Sequence, residues 1–155
     1  MNLQMTKKHQ FSPLDRPLVG RILLIDTDLQ DLATYTDMLR SMGHEVVSCS
    51  SYERAISLLL EENVELVIVD QGGPYFQGRV VLESLHNSGS STQILVLARH
   101  HEMRCYLTSL NLGAADYFEK PVALNDLKNA VEASLPTNRV HDCYRNSLTP
   151  DALRQ

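Results

Sequence analysis

The sequence has few of the features that identify several large classes of protein. Its 155 residues include no tryptophan and only three cysteines, Cys49, Cys105 and Cys143, which share no short spacing. An odd number of scattered cysteines forms neither a disulfide framework nor a zinc motif, so we predict a reducing, cytoplasmic location.

Long apolar runs and an excess of basic charge are also missing. The longest apolar runs have four or five residues, whereas a membrane-spanning helix needs about 20. The chain has 14 Lys+Arg against 19 Asp+Glu, which gives a formal net charge of −5. Nucleic-acid-binding modules normally carry a basic surface. We therefore expect neither a membrane protein nor a nucleic-acid-binding protein.

Five short apolar runs indicate the strands of a sheet. They are rich in Ile, Val and Leu and do not alternate with polar residues, as is typical of parallel strands buried on both faces. The runs are residues 22–25, 46–47, 66–69, 94–97 and 117–118. Their starts are 20 to 28 residues apart, which leaves room for one helix between each pair.

The stretches between and after these runs carry apolar residues at helical spacing. Met103, Leu107 and Leu110 indicate the fourth helix, for example, and Gly113 stands just past its end, where a left-handed residue commonly ends a helix. The pattern predicts an α/β protein with a (βα)5, flavodoxin-like fold, whose five-stranded parallel sheet has helices on both faces.

The periodic part of the chain covers residues 20–135. We expect residues 1–19 to form a flexible N-terminal arm and residues 136–155 a polar C-terminal tail, because neither shows sustained periodicity. A tail of this length is too short for an output domain. We therefore expect a single-domain protein, in which any signal passes to a partner through protein contacts.

Charged residues follow several strands of the predicted sheet. Asp26 and Asp28 come after the first strand, Asp70 ends the third, and Lys120 follows the fifth. Functional sites of open α/β sheets lie beyond the carboxyl ends of their strands. Converging carboxylates oppose one another's ionisation, and a hard divalent cation with oxygen ligands relieves this cost. The pattern favours phosphoryl transfer to a carboxylate, helped by the lysine.

The order and spacing of these residues match a known family. Pro74 and Gly78 follow Asp70 at +4 and +8, Lys120 is followed by a proline, and Tyr117 lies three residues before Lys120. Over residues 20–135 the chain resembles the receiver domain of bacterial two-component response regulators. Asp70 matches the phospho-accepting position of the family and Tyr117 its switch aromatic.

The resemblance implies a phosphorelay function. Asp70 would accept a phosphoryl group from a sensor histidine kinase or a phosphotransfer protein, with Lys120 as the second catalytic residue. Mg²⁺ would be held by Asp26, Asp70 and the backbone carbonyl of Gly72. The domain would release no product. Its chemistry would be limited to gaining and losing the phosphoryl group at Asp70.

The resemblance also implies a surface for a downstream protein. That surface would consist of the fourth helix, the fifth strand and the fifth helix, and would include Tyr106, Tyr117 and Lys128. The peptide bond before Pro121 is often cis in the family.

Two positions depart from the family pattern. Thr27 replaces the second acid after the first strand, which predicts weaker Mg²⁺ binding, and Asp28 is a further candidate ligand through water or a rotated loop. Ala98 replaces the hydroxyl residue at the end of the fourth strand. Losing a hydrogen bond to a charged group costs about 1.5–3 kcal/mol. We therefore expect a looser link between phosphorylation and conformation, and room for Tyr117 to turn inward without phosphate.

Two other functions remain open from the sequence. Thr27 and Ala98 also suit a pseudo-receiver, a protein-interaction module that works without phosphorylation. Asp26 and Asp28 resemble the Asp-x-Asp motif of haloacid dehalogenase-like phosphatases, although the later metal motif of that family is missing. Nearby, Arg99, His100 and His101 are expected to be solvated.

Overall fold

The computed structural model describes residues 19–136, which form five strands and five helices in strict alternation. The strands are β1 (Arg21–Ile25), β2 (Glu45–Cys49), β3 (Leu66–Asp70), β4 (Gln93–Ala98) and β5 (Asp116–Glu119). The helices are α1 (Leu29–Ser41), α2 (Tyr52–Glu61), α3 (Arg79–Asn87), α4 (Met103–Asn111) and α5 (Leu124–Ser134).

The strands form one parallel sheet with the order β2-β1-β3-β4-β5. The chain therefore reverses its direction of winding after β2, and β1 and β3 become neighbours. Ile25 pairs with Val69, and Asp70 pairs with Leu97. This register brings the carboxyl ends of the three central strands to one edge of the sheet.

Helices cover both faces of the sheet, so the central strands β1, β3 and β4 are apolar over most of their length. Alternate residues of one strand enter different cores: Val67 and Val69 pack on one side, and Leu66 and Ile68 on the other. All five residues of β3 are buried. The (βα)5 fold predicted from the uninterrupted apolar runs is confirmed.

Helix α4 was located correctly, but the residues that indicated it lie on its exposed side. Met103, Leu107 and Leu110 are exposed, while Cys105 and Ser109 on the opposite side are buried. Periodicity shows that residues lie on one side of a helix, but it does not show which side packs on the sheet.

Some predictions concern residues outside the described range. Most of the 1–19 arm, nearly all of the 136–155 tail and Cys143 lie there, so these predictions stay open. Among residues 19–136, no helix has the length and hydropathy needed to cross a membrane. In the same range Cys49 and Cys105 are buried free thiols.

Candidate functional site at the carboxyl edge of the sheet

Three strand ends position the central residues of the site. Asp26 follows β1, Asp70 is the last residue of β3, and Lys120 follows β5. The backbone N–H of Lys120 donates to the carbonyl oxygen of Ala98 at 2.7 Å, which continues the β4–β5 pairing past the strand. The peptide bond between Lys120 and Pro121 is cis, as the resemblance implies.

The Lys120 ammonium group joins the two buried carboxylates. Its Nζ lies 2.7 Å from Asp26 Oδ2 and 2.7 Å from Asp70 Oδ1. The side chains of Lys120, Asp26 and Asp70 are only 6%, 2% and 12% exposed. We call these three residues the inner cluster. The structure thus brings together the three residues on which the sequence interpretation depended.

Burial and ion pairing shift the pKa values of the inner cluster in opposite directions. Burial raises the pKa of Asp26, and the hydrogen bond from Lys120 only partly offsets this. Burial also lowers the pKa of Lys120, but hydrogen bonds to Asp26 and Asp70 outweigh it and leave that pKa above its ordinary value. Lys120 therefore stays a fixed positive charge between two carboxylates.

The second oxygen of Asp70 is held by residues on other elements. The Gly72 N–H donates to Asp70 Oδ2 at 2.8 Å, and the Tyr52 hydroxyl lies 3.5 Å from the same oxygen. Burial, followed by the charge of Asp70, raises the pKa of Tyr52 to about 12, so this hydroxyl keeps its proton. Sequence reasoning missed Tyr52, because it starts α2 just after β2, a strand whose carboxyl end carries no charged residue.

Two glycines shape the loop after Asp70. Gly72 has φ of +78°, a backbone conformation that L side chains rarely adopt. At Gly78, a Cβ atom would overlap the backbone carbonyl oxygen of Asp70. Glycine is therefore required at position 78, because the loop after Asp70 brings Gly78 back against the backbone of Asp70.

A second group of charges lies nearer to solvent. Arg99 donates to Asp28 Oδ2 at 2.7 Å and to Asp31 Oδ2 at 3.1 Å, and we call these three residues the outer cluster. Asp31 also accepts from Lys120 Nζ at 3.0 Å, which links the two clusters. Arg99 is exposed, as expected, but the sequence did not indicate its ion pairs. Although its side chain is 60% exposed, it spans from β4 to α1.

Asp28 has a structural task besides its ion pair. Its Oδ1 accepts the backbone N–H groups of Gln30 and Asp31 and so caps α1, as Asp commonly does at this position. These hydrogen bonds, the one from Asp31 first, lower the pKa of Asp28. Both oxygens of Asp28 are therefore occupied within the protein.

The inner cluster lines a cleft of about 440 Å³ together with Asp28 and Arg99 of the outer cluster. Its walls also include Thr27, Gly72, Pro74 and Glu102. Acidic groups, the basic groups of Lys120 and Arg99 and the backbone of the Asp70 loop thus face a common space. Such a space suits a small anionic group that arrives near Asp70 and is met by Lys120.

The donor set in the cleft fits a hard divalent cation. Asp26 and Asp70 provide carboxylate oxygens, which hard cations prefer as ligands, and Gly72 lines the same cleft. Thr27 is exposed and provides no carboxylate. Among residues 19–136, no group of three or more His, Cys, Asp or Glu side chains is arranged to hold a metal ion.

Tyr117 lies inward, in the same buried core cluster as the small side chain of Ala98. Ala98 is completely buried and Tyr117 is nearly so. The Tyr117 hydroxyl donates to Gln71 Oε1, and its ring lies 5.4 Å from the ring of His101 and 5.7 Å from that of Tyr106. His100 and His101 are both exposed, as expected, although His101 packs on the buried aromatic.

The fold and the site together define a doubly wound α/β domain with an acidic pocket at the switch point of its sheet. The family model of the response regulator receiver domain matches residues 22–132. The chain belongs to this family and is a receiver domain of two-component signal transduction. The resemblance stated from the sequence is confirmed.

Individual relatives agree with this assignment. The two-component response regulator PprB of Pseudomonas aeruginosa is 28% identical over 138 residues, covering 86% of this chain and 50% of that protein. The chain thus spans about half the length of this curated relative. A CheY-like receiver domain from Methanospirillum hungatei has 25% identity and a TM-score of 0.69, over 75% of this chain and 93% of that one.

One structural neighbour was solved as a complex. It is the CheX-CheY-BeF3-Mg²⁺ complex from Borrelia burgdorferi, with 16% identity and a TM-score of 0.67 over 74% of this chain and 87% of that one. At this identity the likeness concerns the fold alone.

Proposed function

We propose that Asp70 is the phospho-acceptor of this receiver domain. The observation that carries the proposal is the position of Lys120 Nζ, 2.7 Å from Asp70 Oδ1 in the buried inner cluster. A lysine there neutralises the charge that develops on the transferred group, which is the main task of catalysis in phosphoryl transfer. The cleft in front of Asp70 gives such a group access.

The proposed donor is a phosphohistidine of a sensor histidine kinase or phosphotransfer protein. An Asp70 carboxylate oxygen attacks phosphorus, the P–O bond forms, and the P–N bond breaks. The electron pair passes to the imidazole nitrogen, which then takes up a proton. Water later hydrolyses the acyl phosphate and restores Asp70. We propose no turnover of a separate substrate.

Mg²⁺ is the proposed cofactor, held by Asp26, Asp70 and the Gly72 carbonyl. It would supply positive charge to the phosphoryl oxygens. Asp28 is the weaker candidate, because its oxygens already cap α1 and bind Arg99. The Borrelia complex, which contains Mg²⁺ and BeF3, supports this cofactor. Since Thr27 lacks a carboxylate, we propose weak binding.

The proposed docking surface for a downstream protein consists of α4, β5 and α5. Leu107 and Leu110 of α4 are exposed, and Lys128 of α5 is exposed as well. Exposed apolar side chains on one helix are a common feature of protein interfaces. Tyr106, half-buried against Tyr117, links this surface to the interior.

Phosphorylation of Asp70 is tested by intact mass after incubation with acetyl phosphate and Mg²⁺. We expect a mass increase of one phosphoryl group in the wild-type chain and none in Asp70→Asn. Asp116→Asn, an exposed aspartate at the opposite end of β5, is the matched control and should be labelled like the wild type. Chelation of Mg²⁺ should abolish labelling. A mass increase that persists in Asp70→Asn would overturn the assignment.

The pseudo-receiver is the second candidate function. Tyr117 is already buried and bonded to Gln71 with Asp70 unmodified, which favours partner binding that does not require phosphorylation. Absence of any labelling in the wild-type chain would support this function. The haloacid dehalogenase-like phosphatase is no longer a candidate function, because the chain belongs to the receiver family. In addition, the Asp28 side chain caps α1.

A further inference from the structure

Gln71, the residue directly after Asp70, is buried although its side chain is polar. It is only 4% exposed, and the phosphoryl chemistry proposed above does not use it. Its Oε1 accepts the hydroxyl hydrogen of Tyr117, while its Nε2 donates to the carbonyl oxygen of Gly73 at 3.2 Å. The side-chain amide therefore connects the switch aromatic with the loop that carries Asp70.

The backbone of Gln71 is fixed on two sides. Its N–H donates to the carbonyl oxygen of Leu97 in β4 at 2.7 Å, and its own carbonyl accepts from the Gly78 N–H at 2.9 Å. The side chain thus extends from a rigid base and not from the middle of a free loop. These two hydrogen bonds fix the point from which the side-chain amide reaches Tyr117.

Tyr117 has no equally good alternative partner among the described residues. The carbonyl oxygen of His100 lies 3.4 Å from its hydroxyl, and the Glu102 N–H donates to that hydroxyl at 3.5 Å. Both of these distances are long for a hydrogen bond. Removing the Gln71 amide would leave a buried hydroxyl with only long, weak contacts, and an unsatisfied buried polar group is costly.

We propose that Gln71 is a positioning residue that holds Tyr117 inward while Asp70 is unmodified. In this chain Gln71 provides a hydrogen bond near the place where Ala98 lacks a hydroxyl. The inference rests on the proposed function, since it concerns how the acceptor loop is linked to the docking surface. Its consequence is that the packing of His101 and Tyr106 on Tyr117 is set before any phosphoryl group arrives.

The test uses the unmodified full chain with ¹³C-labelled tyrosine rings, without Mg²⁺ or phosphodonor. In the wild type we expect nuclear Overhauser contacts from the Tyr117 ring to His101 and Tyr106. In Gln71→Leu these contacts should weaken severalfold. Gln77→Leu is the matched control, an exposed glutamine of the same loop, and should retain them. Unchanged contacts in Gln71→Leu would overturn the proposal.

A reciprocal measurement covers the case in which Gln71→Leu fails to fold. Because coupling between two sites is mutual, Tyr117→Phe should shift the amide resonances of Gly72 and Gly73. Tyr75→Phe, at an almost fully exposed tyrosine, should leave them in place. Unshifted amides in Tyr117→Phe would reject the proposal. Neither measurement requires phosphorylation of Asp70, so a failure of the proposed function is seen separately by intact mass.

Discussion

The inner and outer clusters combine similar charged groups in different surroundings. Each holds two aspartates and one basic residue, with nitrogen–oxygen distances between 2.7 and 3.1 Å. The inner cluster is buried, whereas Arg99 of the outer cluster is mostly solvated. The nitrogen–oxygen distances therefore do not distinguish how much each ion pair contributes to stability. We expect burial to set that contribution, because an unpaired charge in the interior is costly and one in water is not.

The largest expected effect comes from removing the basic residue of the inner cluster. Lys120→Met leaves the buried carboxylates of Asp26 and Asp70 without their cation, and loss of one partner of a buried ion pair costs about 3–5 kcal/mol. We expect a fall of this size in the free energy of unfolding. Urea unfolding followed by far-ultraviolet circular dichroism measures it, since the chain has no tryptophan.

Lys128→Met is the matched control for that measurement. Lys128 is about half exposed and lies 4.0 Å from Glu132, so its loss should change the stability by about 0.5 kcal/mol or less. Equal losses in the two variants would contradict the view that burial, and not pairing as such, sets the energy.

The second expected effect is an opposite dependence on pH in the two clusters. The pKa of Asp26 is raised above its ordinary value of 3.8, so its ionisation opposes folding at neutral pH. This cost starts to fall when the pH drops to the raised pKa, and it is gone once the pH is below 3.8. The pKa of Asp28 is lowered, so its stabilising contribution is present above 3.8 and is lost as the pH falls through the lowered pKa. These signs follow from proton linkage.

Asp26→Asn and Asp28→Asn test these signs. As the pH falls, the wild type should gain stability relative to Asp26→Asn and lose stability relative to Asp28→Asn. Chemical unfolding of the three proteins across this pH range provides the comparison. If the stability of the wild type relative to each variant changed with pH in the same direction, the two aspartates would not have opposite pKa shifts.

The smallest expected effect concerns the basic residue of the outer cluster. Arg99→Ala should lower the melting temperature only slightly, and added salt should remove the difference, because exposed ion pairs are weak and screened. Arg79→Ala, which removes the exposed pair with Glu83, should behave in the same way. A loss as large as that of Lys120→Met would require Arg99 to be part of the buried network.

Most of the fold was predictable because its signals are local. Apolar runs such as residues 66–69 can only be buried on both faces, and the intervals between runs leave room for one helix each. The identity of Asp70 and Lys120 as site residues also followed, since strand ends of a parallel sheet share one edge. The side of α4 that packs on the sheet was not predictable from the sequence, because its buried residues Cys105 and Ser109 are small and give no strong periodic signal.

The sequence by itself determined the alternation of strands and helices, the converging charges and the family to which the chain belongs. Only the tertiary structure decided which side chains meet. Tyr52, Gln71 and Arg99 lie in three different segments, and their contacts with Asp70, Tyr117 and Asp31 depend on where α2, β5 and α1 pack. Pairing across the sheet is set by packing of distant segments, and local patterns in the chain do not contain that information.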